Sequence, residues 1–236
     1  MAIAEFHMFD DREALAEGLA NRLAQTIKLG IDENQFASVA LSGGATPKAM
    51  LQRLGARLSA DDREMMYLAL VDERCVPHDD PRANRTMIKT AAGFDDHPES
   101  EFLPLYRDGL SAKEAARAAS DKLADDEELP FDVVTLGMGL DGHTASWFPA
   151  SSGLAQAVDP AADDLVVAVT GDTLKEDRVS LTMPAIQGAH LIVLHIEGAD
   201  KRDVLNVALD DGPADAMPIR HLLRHPFANL EVYWAP

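Results

Sequence analysis

A glycine-rich segment places an acid and a histidine almost side by side, and this arrangement has the clearest chemical potential in the chain. The segment reads Gly-Met-Gly-Leu-Asp-Gly-His over residues 137–143, directly after the apolar run 131–136. Glycines let a backbone turn sharply and approach a ligand closely. Because histidine titrates near neutral pH, His143 can take a proton from water and return it later. His143 is therefore interpreted either as an acid–base residue, which Asp141 can orient, or as a histidine whose hydrogen bonds are satisfied in the core.

The same glycines allow a second interpretation. Gly137, Gly139 and Gly142 also match the G-x-G-x-x-G spacing of dinucleotide-binding loops. That motif opens a helix, whereas here Pro149 would interrupt the helix within about two turns. The motif also lies in the middle of the chain. We therefore predict no nicotinamide or flavin cofactor.

A second glycine-containing turn follows the apolar run 36–41. It reads Ser-Gly-Gly-Ala-Thr-Pro-Lys over residues 42–48, and its Thr-Pro pair is typical of an N-cap followed by a first helical residue. Unpaired amides at a helix N-terminus form an anion site, to which serine and threonine hydroxyls can add donors. The G-K-[ST] ending of a P-loop is absent. The turn is interpreted either as an ordinary helix start or as a phosphate site made by Ser42, Gly43, Gly44 and Thr46.

Charged side chains follow the next apolar run, 67–71. Asp72 can bind sugar hydroxyls or act as a base, and Arg74 can hold a phosphate or a developing oxyanion. The alternative is a structural ion pair at a strand end. Downstream, Asn84 lies in a predicted polar loop, where its amide meets a ligand or caps a turn.

Two further cations and two histidines need an interpretation. Arg178 directly precedes the apolar run 179–183, and Lys201 lies near the start of a predicted helix. Either side chain can bring positive charge to a phosphate, although each alone is more often a surface residue. His221 and His225 have the i, i+4 spacing of metal ligands. Since no H-E-x-x-H signature or cysteine pair accompanies them, we predict no metal site.

These candidates need a sheet to position them. Apolar runs predict strands, and several are continuously apolar rather than alternating; the runs are 36–41, 67–71, 131–136, 165–169, 179–183, 191–196 and 230–234. Predicted helices separate most of them, two with capping boxes at Asp10/Glu13 and Ser111/Glu114. This pattern indicates an α/β fold with a mostly parallel sheet and helices on both faces.

Composition limits the class of partner. The chain of 236 residues is 47% hydrophobic and carries 21 basic against 40 acidic residues, a formal net charge of −19. Nucleic acids and anionic membranes select basic patches, so we expect neither as a partner, although a local basic pocket can still bind a small anion. No apolar run approaches the ~18 residues of a membrane span, and no signal peptide is evident. The single cysteine, Cys75, is interpreted as a small buried thiol, and one cysteine cannot form an intramolecular disulfide. We expect a cytoplasmic protein.

Four motifs in order resemble the 6-phosphogluconolactonases of the glucosamine-6-phosphate deaminase-like superfamily. They read SGGATP from residue 42, VDERCVP from 71, GMGLDGHTASWFP from 137 and RVSLTMP from 178. The resemblance implies a Rossmann-like fold. We take residues 1–236 as one domain and expect a monomer or homodimer. The resemblance further implies hydrolysis of 6-phospho-D-glucono-1,5-lactone to 6-phosphogluconate in the oxidative pentose phosphate pathway, without a metal or redox cofactor.

The resemblance also implies roles for individual residues. His143 would be the general base supported by Asp141, and Asp72 and Arg74 would contact the lactone. The phosphate would be held by Ser42, Gly43, Gly44 and Thr46, with help from Lys201 or Arg178. Asn84 is expected at the substrate as well, although alanine precedes it where relatives often carry serine.

One position separates this chain from the aminosugar-phosphate isomerase-deaminases. Their loop continues D-G-H-I-A-F-N-E-P, and its glutamate serves the ring-opening histidine, whereas this chain has Phe148 at that position. Phenylalanine cannot polarise an imidazole, so the substitution favours lactone hydrolysis. The other alternative is a non-catalytic sugar-phosphate-binding module of a transcription regulator. The first forty residues offer no basic helix-turn-helix to support it.

Overall fold

The computed structural model describes residues 3–95, 102–125, 129–172, 174–226 and 229–236. Its strands are β1 (Ile3–Met8), β2 (Ala37–Leu41), β3 (Met66–Leu70), β4 (Asp72–Arg74), β5 (Val133–Leu136), β6 (Val166–Val169), β7 (Arg178–Leu181), β8 (Leu191–Glu197) and β9 (Leu230–Ala235). Its helices are α1 (Arg12–Asn34), α2 (Lys48–Gly55), α3 (Ala60–Glu64), α4 (Asn84–Ala92), α5 (Ala112–Asp125), α6 (Leu154–Val158), α7 (Met183–Ile186), α8 (Ala199–Leu209) and α9 (Ile219–Arg224).

A six-stranded parallel sheet forms the centre of the fold. Its strand order is β1-β9-β8-β5-β2-β3, and every pair of neighbours is parallel. Strands β2, β3 and β5 are buried at every residue, because both faces of the sheet are covered. The predicted α/β class with a mostly parallel sheet is confirmed. The carboxyl ends of these strands share one edge, which is where open α/β sheets place their binding sites.

A second, smaller sheet corrects part of the sequence prediction. The predicted strands 165–169 and 179–183 do not join the parallel sheet; they form an antiparallel sheet with β4, in the order β4-β7-β6. The apolar runs could not distinguish the two sheets, because buried strands of either kind are continuously apolar. The second run also ends early, since Met183 begins α7, where a proline occupies the first turn.

The observed starts of the helices agree only in part with the predicted capping residues. The box of Ser111 and Glu114 is present, with each side chain bonded to the other residue's backbone N–H. The cap of α1 is Asp11, which accepts from the N–H of Ala14 at 2.8 Å, rather than the predicted Asp10. Thr46 does not cap α2, because that helix begins one residue later than predicted, after Pro47.

Two other features complete the fold. An apolar stripe on α1 is fully buried; it comprises Leu15, Leu19, Leu23 and Ile27. Sequence reasoning missed β1, an edge strand that mixes polar and apolar residues and so has no continuous apolar run. Along the described ranges, no helix is both long and apolar enough to cross a membrane.

Candidate active site

A cleft of about 320 Å³ lies at the carboxyl edge of the parallel sheet. The loops after β2 and β5 form part of its wall, and the end of β8, the small sheet and residues of α4 and α8 also line it. The structure brings ten of the predicted site residues to this cleft, namely Ser42, Gly43, Gly44, Thr46, Asp72, Arg74, Asn84, His143, Arg178 and Lys201. Asp141 contacts the cleft indirectly, through His143.

A single carboxylate holds His143 in place. Nδ1 of His143 lies 2.5 Å from Oδ1 of Asp141, and the backbone N–H of His143 donates to the same oxygen at 3.1 Å. The hydrogen bond to His143 is the main cause that lowers the pKa of Asp141. When Nδ1 donates to this carboxylate, Nε2 keeps its lone pair and can accept a proton. A Cβ at Gly139 would lie 2.1 Å from Nδ1, so glycine is required there.

An aromatic ring packs against the imidazole. The ring centroids of His143 and Phe148 are 4.3 Å apart at an interplanar angle of 39°. The guanidinium of Arg178 also lies over Phe148, 5.5 Å from its centroid. Residue 148 therefore gives the histidine an apolar neighbour and no additional acid.

The loop after β2 lines the cleft with residues 42–47. Within the described residues, the N–H groups of 43–46 donate to no protein acceptor. Gly44 has a φ of +96°, a left-handed conformation that favours glycine. A Cβ at Gly43 would lie 2.1 Å from Oδ1 of Asn84, so the loop packs directly on that side chain. These unpaired amides can bind an anion.

Lys201 supplies positive charge near the loop after β5. Its ammonium donates to the carbonyl of Met138. Burial lowers the pKa of Lys201, and the nearby carboxylate of Asp141 opposes that effect. Lys201 thus lines the cleft and contacts the segment that carries His143.

Asn84 occupies a different structural setting from the one predicted. It is the first residue of α4 rather than part of a polar loop, and it is 3% exposed. Its Nδ2 donates to the carbonyl of Asp72 at 2.9 Å and lies 3.4 Å from Oδ1 of the same residue. The amide thus fixes Asp72 as well as supporting Gly43.

The helix start at Asn84 depends on Glu73, a role that sequence reasoning missed. The Glu73 carboxylate accepts from the N–H groups of Asn84 and Arg85, each at 2.8 Å, and from that of Arg74 at 2.7 Å. Burial raises the pKa of Glu73, although these three donors oppose the rise. The side chain caps α4 from eleven residues upstream, so no local sequence signal reveals it.

The two arginines of the cleft are held differently. Arg74 donates through Nη1 to the carbonyl of Arg82 and to Oδ1 of Asn84, the latter at 3.2 Å. Arg178 has Nη1 at 3.8 Å from Oδ2 of Asp72, and its buried Nε has no hydrogen-bond partner among the described residues. Arg74 is therefore fixed to the backbone, whereas Arg178 has donors available for a ligand.

The thiol of Cys75 lies in a setting that makes it a poor nucleophile. It is half-buried, and burial is the main cause that raises its pKa to about 12, with Asp177 and Glu73 adding to the effect. The charge of Arg178 opposes this rise. A thiol with so high a pKa is a poor nucleophile near neutral pH.

Two polar residues at the end of β8, His195 and Glu197, also line the cleft and were not predicted. His195 is 4% exposed, and its Nε2 lies 3.1 Å from Oε1 of Glu197. Their only sequence signal is that polar residues appear where an apolar strand reaches the functional edge of the sheet. A third missed residue, Ser146, donates its hydroxyl proton to Oδ2 of Asp72.

The fold and the cleft together define a class: a Rossmann-like α/β protein whose sheet edge combines a glycine-containing turn with a histidine–aspartate pair. The sequence matches the family described as glucosamine-6-phosphate isomerases/6-phosphogluconolactonase over residues 10–234, and the chain belongs to this family.

The proteins similar to this chain match it over nearly its full length. A 6-phosphogluconolactonase of Rhizobium meliloti (strain 1021) is 40% identical over 233 residues, covering 99% of each chain. One of Mesorhizobium japonicum is 39% identical over 231 residues, which is 98% of this chain and 95% of the relative. The solved structure of a 6-phosphogluconolactonase from Shewanella baltica superimposes with a TM-score of 0.90 at 33% identity, covering 100% of this chain and 98% of that one.

Proposed function

We propose that this protein hydrolyses 6-phospho-D-glucono-1,5-lactone to 6-phosphogluconate, a step of the oxidative pentose phosphate pathway, with His143 as the general base. One observation carries the proposal: His143, which is paired with Asp141, lines the same cleft as the loop 43–46, whose backbone N–H groups donate to no acceptor among the described residues. The names of the relatives support the substrate.

The phosphate would bind at the loop after β2. The N–H groups of 43–46 supply uncharged donors, and the hydroxyls of Ser42 and Thr46 add to them. Lys201 and Arg178 supply the positive charge that balances a phosphate dianion in a chain of net charge −19. Binding the phosphate fixes one end of the substrate and limits where its lactone carbonyl can lie.

The chemistry requires one proton carrier. Nε2 of His143 removes a proton from water as the water oxygen forms a bond to the lactone carbonyl carbon. The resulting oxyanion is stabilised by Arg74 or by backbone N–H groups. When the intermediate collapses, the bond between that carbon and the ring oxygen breaks, and the ring oxygen receives the proton from His143. No electrons are exchanged with a cofactor, and the lactone carbonyl is electrophilic without a metal.

The family name also includes isomerases that open and rearrange an aminosugar phosphate. Phe148, whose ring lies 4.3 Å from that of His143, favours hydrolysis, because it offers no carboxylate to the imidazole. A water-activating histidine needs only its own carboxylate partner, which is Asp141.

The test is acid release from freshly generated 6-phosphogluconolactone, corrected for spontaneous opening. His143→Ala should lower the enzymatic rate by about 10²–10⁴ while the circular dichroism spectrum stays unchanged. The control is His221→Ala, since His221 lies on α9 and contacts Asp215 rather than the cleft. A wild-type protein that does not accelerate hydrolysis, or a His143→Ala variant as fast as wild type, would overturn the proposal.

A further inference from the structure

A buried hydrogen bond joins the loop that carries His143 to the small sheet. Ser146 has no exposed surface, and its hydroxyl donates to Oδ2 of Asp72. The backbone N–H of Ser146 donates to the hydroxyl of Ser180 at 3.3 Å, and Ser180 is the β7 residue paired with Asp72. Two hydrogen bonds therefore fix Ser146, one through its backbone N–H and one through its hydroxyl, and the hydroxyl proton is donated to Asp72.

The same carboxylate oxygen also faces a cation. Nη1 of Arg178 lies 3.8 Å from Oδ2 of Asp72, the oxygen that accepts from Ser146. The other oxygen, Oδ1, lies 3.4 Å from Nδ2 of Asn84. A direct arginine–carboxylate hydrogen bond is about 2.7–2.9 Å long, so the separation of 3.8 Å is an ion pair without that hydrogen bond.

Arg178 lines the cleft, stacks over Phe148 and has a buried Nε that no described residue engages. If Oδ2 lost its hydroxyl donor, Arg178 would be the nearest cation able to replace it. A guanidinium drawn onto Asp72 would turn its donors toward the small sheet and away from a ligand in the cleft.

We infer that Ser146 is a positioning residue for substrate binding: by occupying Oδ2 of Asp72, it keeps Arg178 directed toward the phosphorylated substrate. The inference rests on the proposed function, because the ligand is the sugar phosphate. Ser146 touches no reacting atom and acts through Asp72 and Arg178. Its loss should therefore weaken binding and leave the proton transfer at His143 intact.

The first experiment compares Ser146→Ala with wild type in the lactonase assay. KM should rise about tenfold, the expected effect of a disturbed hydrogen bond to a charged group, while kcat stays within about twofold. The control Ser151→Ala removes a hydroxyl from the same loop, one that donates to the carbonyl of Phe148 at 2.8 Å, and should leave KM unchanged. If Ser146→Ala folds poorly, Ser146→Cys keeps the shape with a weak donor and should give the same split.

The second experiment is a double-mutant cycle with Asp72→Asn. If Ser146 acts through the Asp72 carboxylate, Ser146→Ala should raise KM in the wild-type background and have little further effect in Asp72→Asn. Equal effects in both backgrounds, an unchanged KM, or a fall in kcat with unchanged KM would overturn the inference. These failures differ from failure of the proposed function, in which the wild-type protein itself would not accelerate lactone hydrolysis.

Discussion

Oδ1 of Asp141 accepts two hydrogen bonds from one residue: from Nδ1 of His143 at 2.5 Å and from the backbone N–H of His143 at 3.1 Å. The carboxylate thereby fixes both the ring and the backbone of the histidine. It also selects the tautomer in which Nε2 is free to accept a proton. In the proposed reaction the imidazole becomes positively charged, and the same carboxylate stabilises that charge.

Replacing this carboxylate by an amide tests its role. Asp141→Asn should lower kcat by about 10²–10⁴ with a small change in KM, because the neutral amide does not stabilise the imidazolium or fix the tautomer. The measurement is steady-state lactone hydrolysis. Asp215→Asn is the matched control, since Asp215 contacts His221 at 2.7 Å outside the cleft. An Asp141→Asn variant with wild-type kcat would remove Asp141 from the proposed mechanism.

The loop after β2 leaves no space for a side chain at one position. Gly43→Ala would place Cβ 2.1 Å from Oδ1 of Asn84, so the loop or the asparagine must move. Since the amides of 43–46 would then be misdirected, KM should rise by about tenfold or more, with a smaller effect on kcat. Lactonase kinetics measure this change.

The matched control is Gly171→Ala, where an added Cβ would meet its nearest atoms at 3.8 Å, an ordinary contact outside the cleft. Its KM should equal that of wild type. An unchanged KM in Gly43→Ala would show that the loop does not hold the phosphate in the proposed way.

The parts of the site that could be predicted from sequence are local. The loop 42–48 and the loop 137–143 each follow a continuous apolar strand, so their position at the carboxyl edge follows from the parallel sheet. Their glycines and polar residues are adjacent in the chain. Both the composition and the position of these loops can therefore be inferred from residue types and strand order alone.

The parts that could not be predicted depend on distant partners. Ser146 meets Asp72 across 74 positions of sequence, and Glu73 caps α4 from eleven residues away. Neither contact changes a local pattern of residue types. The small antiparallel sheet was missed for a related reason, since the pairing of β4 with β7 is a tertiary contact between segments far apart in the chain.

A network of charged side chains around Glu231 lies outside the cleft, and we expect it to affect the free energy of unfolding. Glu231, on β9, accepts from Nη2 of Arg22 at 2.8 Å and from the hydroxyl of Tyr233 at 2.8 Å, and its Oε2 lies 3.4 Å from Nε2 of His7. Burial raises the pKa of Glu231, but the hydrogen bonds from Arg22 and Tyr233 outweigh burial and hold the pKa below its ordinary value. Burial and the hydrogen bond to Glu231 raise the pKa of Tyr233.

A lowered carboxyl pKa makes the free energy of unfolding depend on pH. The stabilisation from ionised Glu231 is present above the ordinary glutamate pKa and is lost as pH falls through the lower, folded-state value. Glu231→Gln should therefore reduce the free energy of unfolding by about 1–3 kcal/mol near neutral pH. The variant should also lose less stability than wild type between about pH 5 and pH 3. Urea unfolding across this pH range measures both effects.

The matched control for Glu231→Gln is Glu5→Gln. Oε2 of Glu5 lies 3.2 Å from the same His7 nitrogen, but the Glu5 side chain is 66% exposed, against 10% for Glu231. Exposed ion pairs contribute little, so this variant should differ from wild type by less than about 1 kcal/mol and keep the wild-type pH dependence. Equal acid sensitivity of wild type and Glu231→Gln would show that the buried network does not set the stability of the protein toward acid.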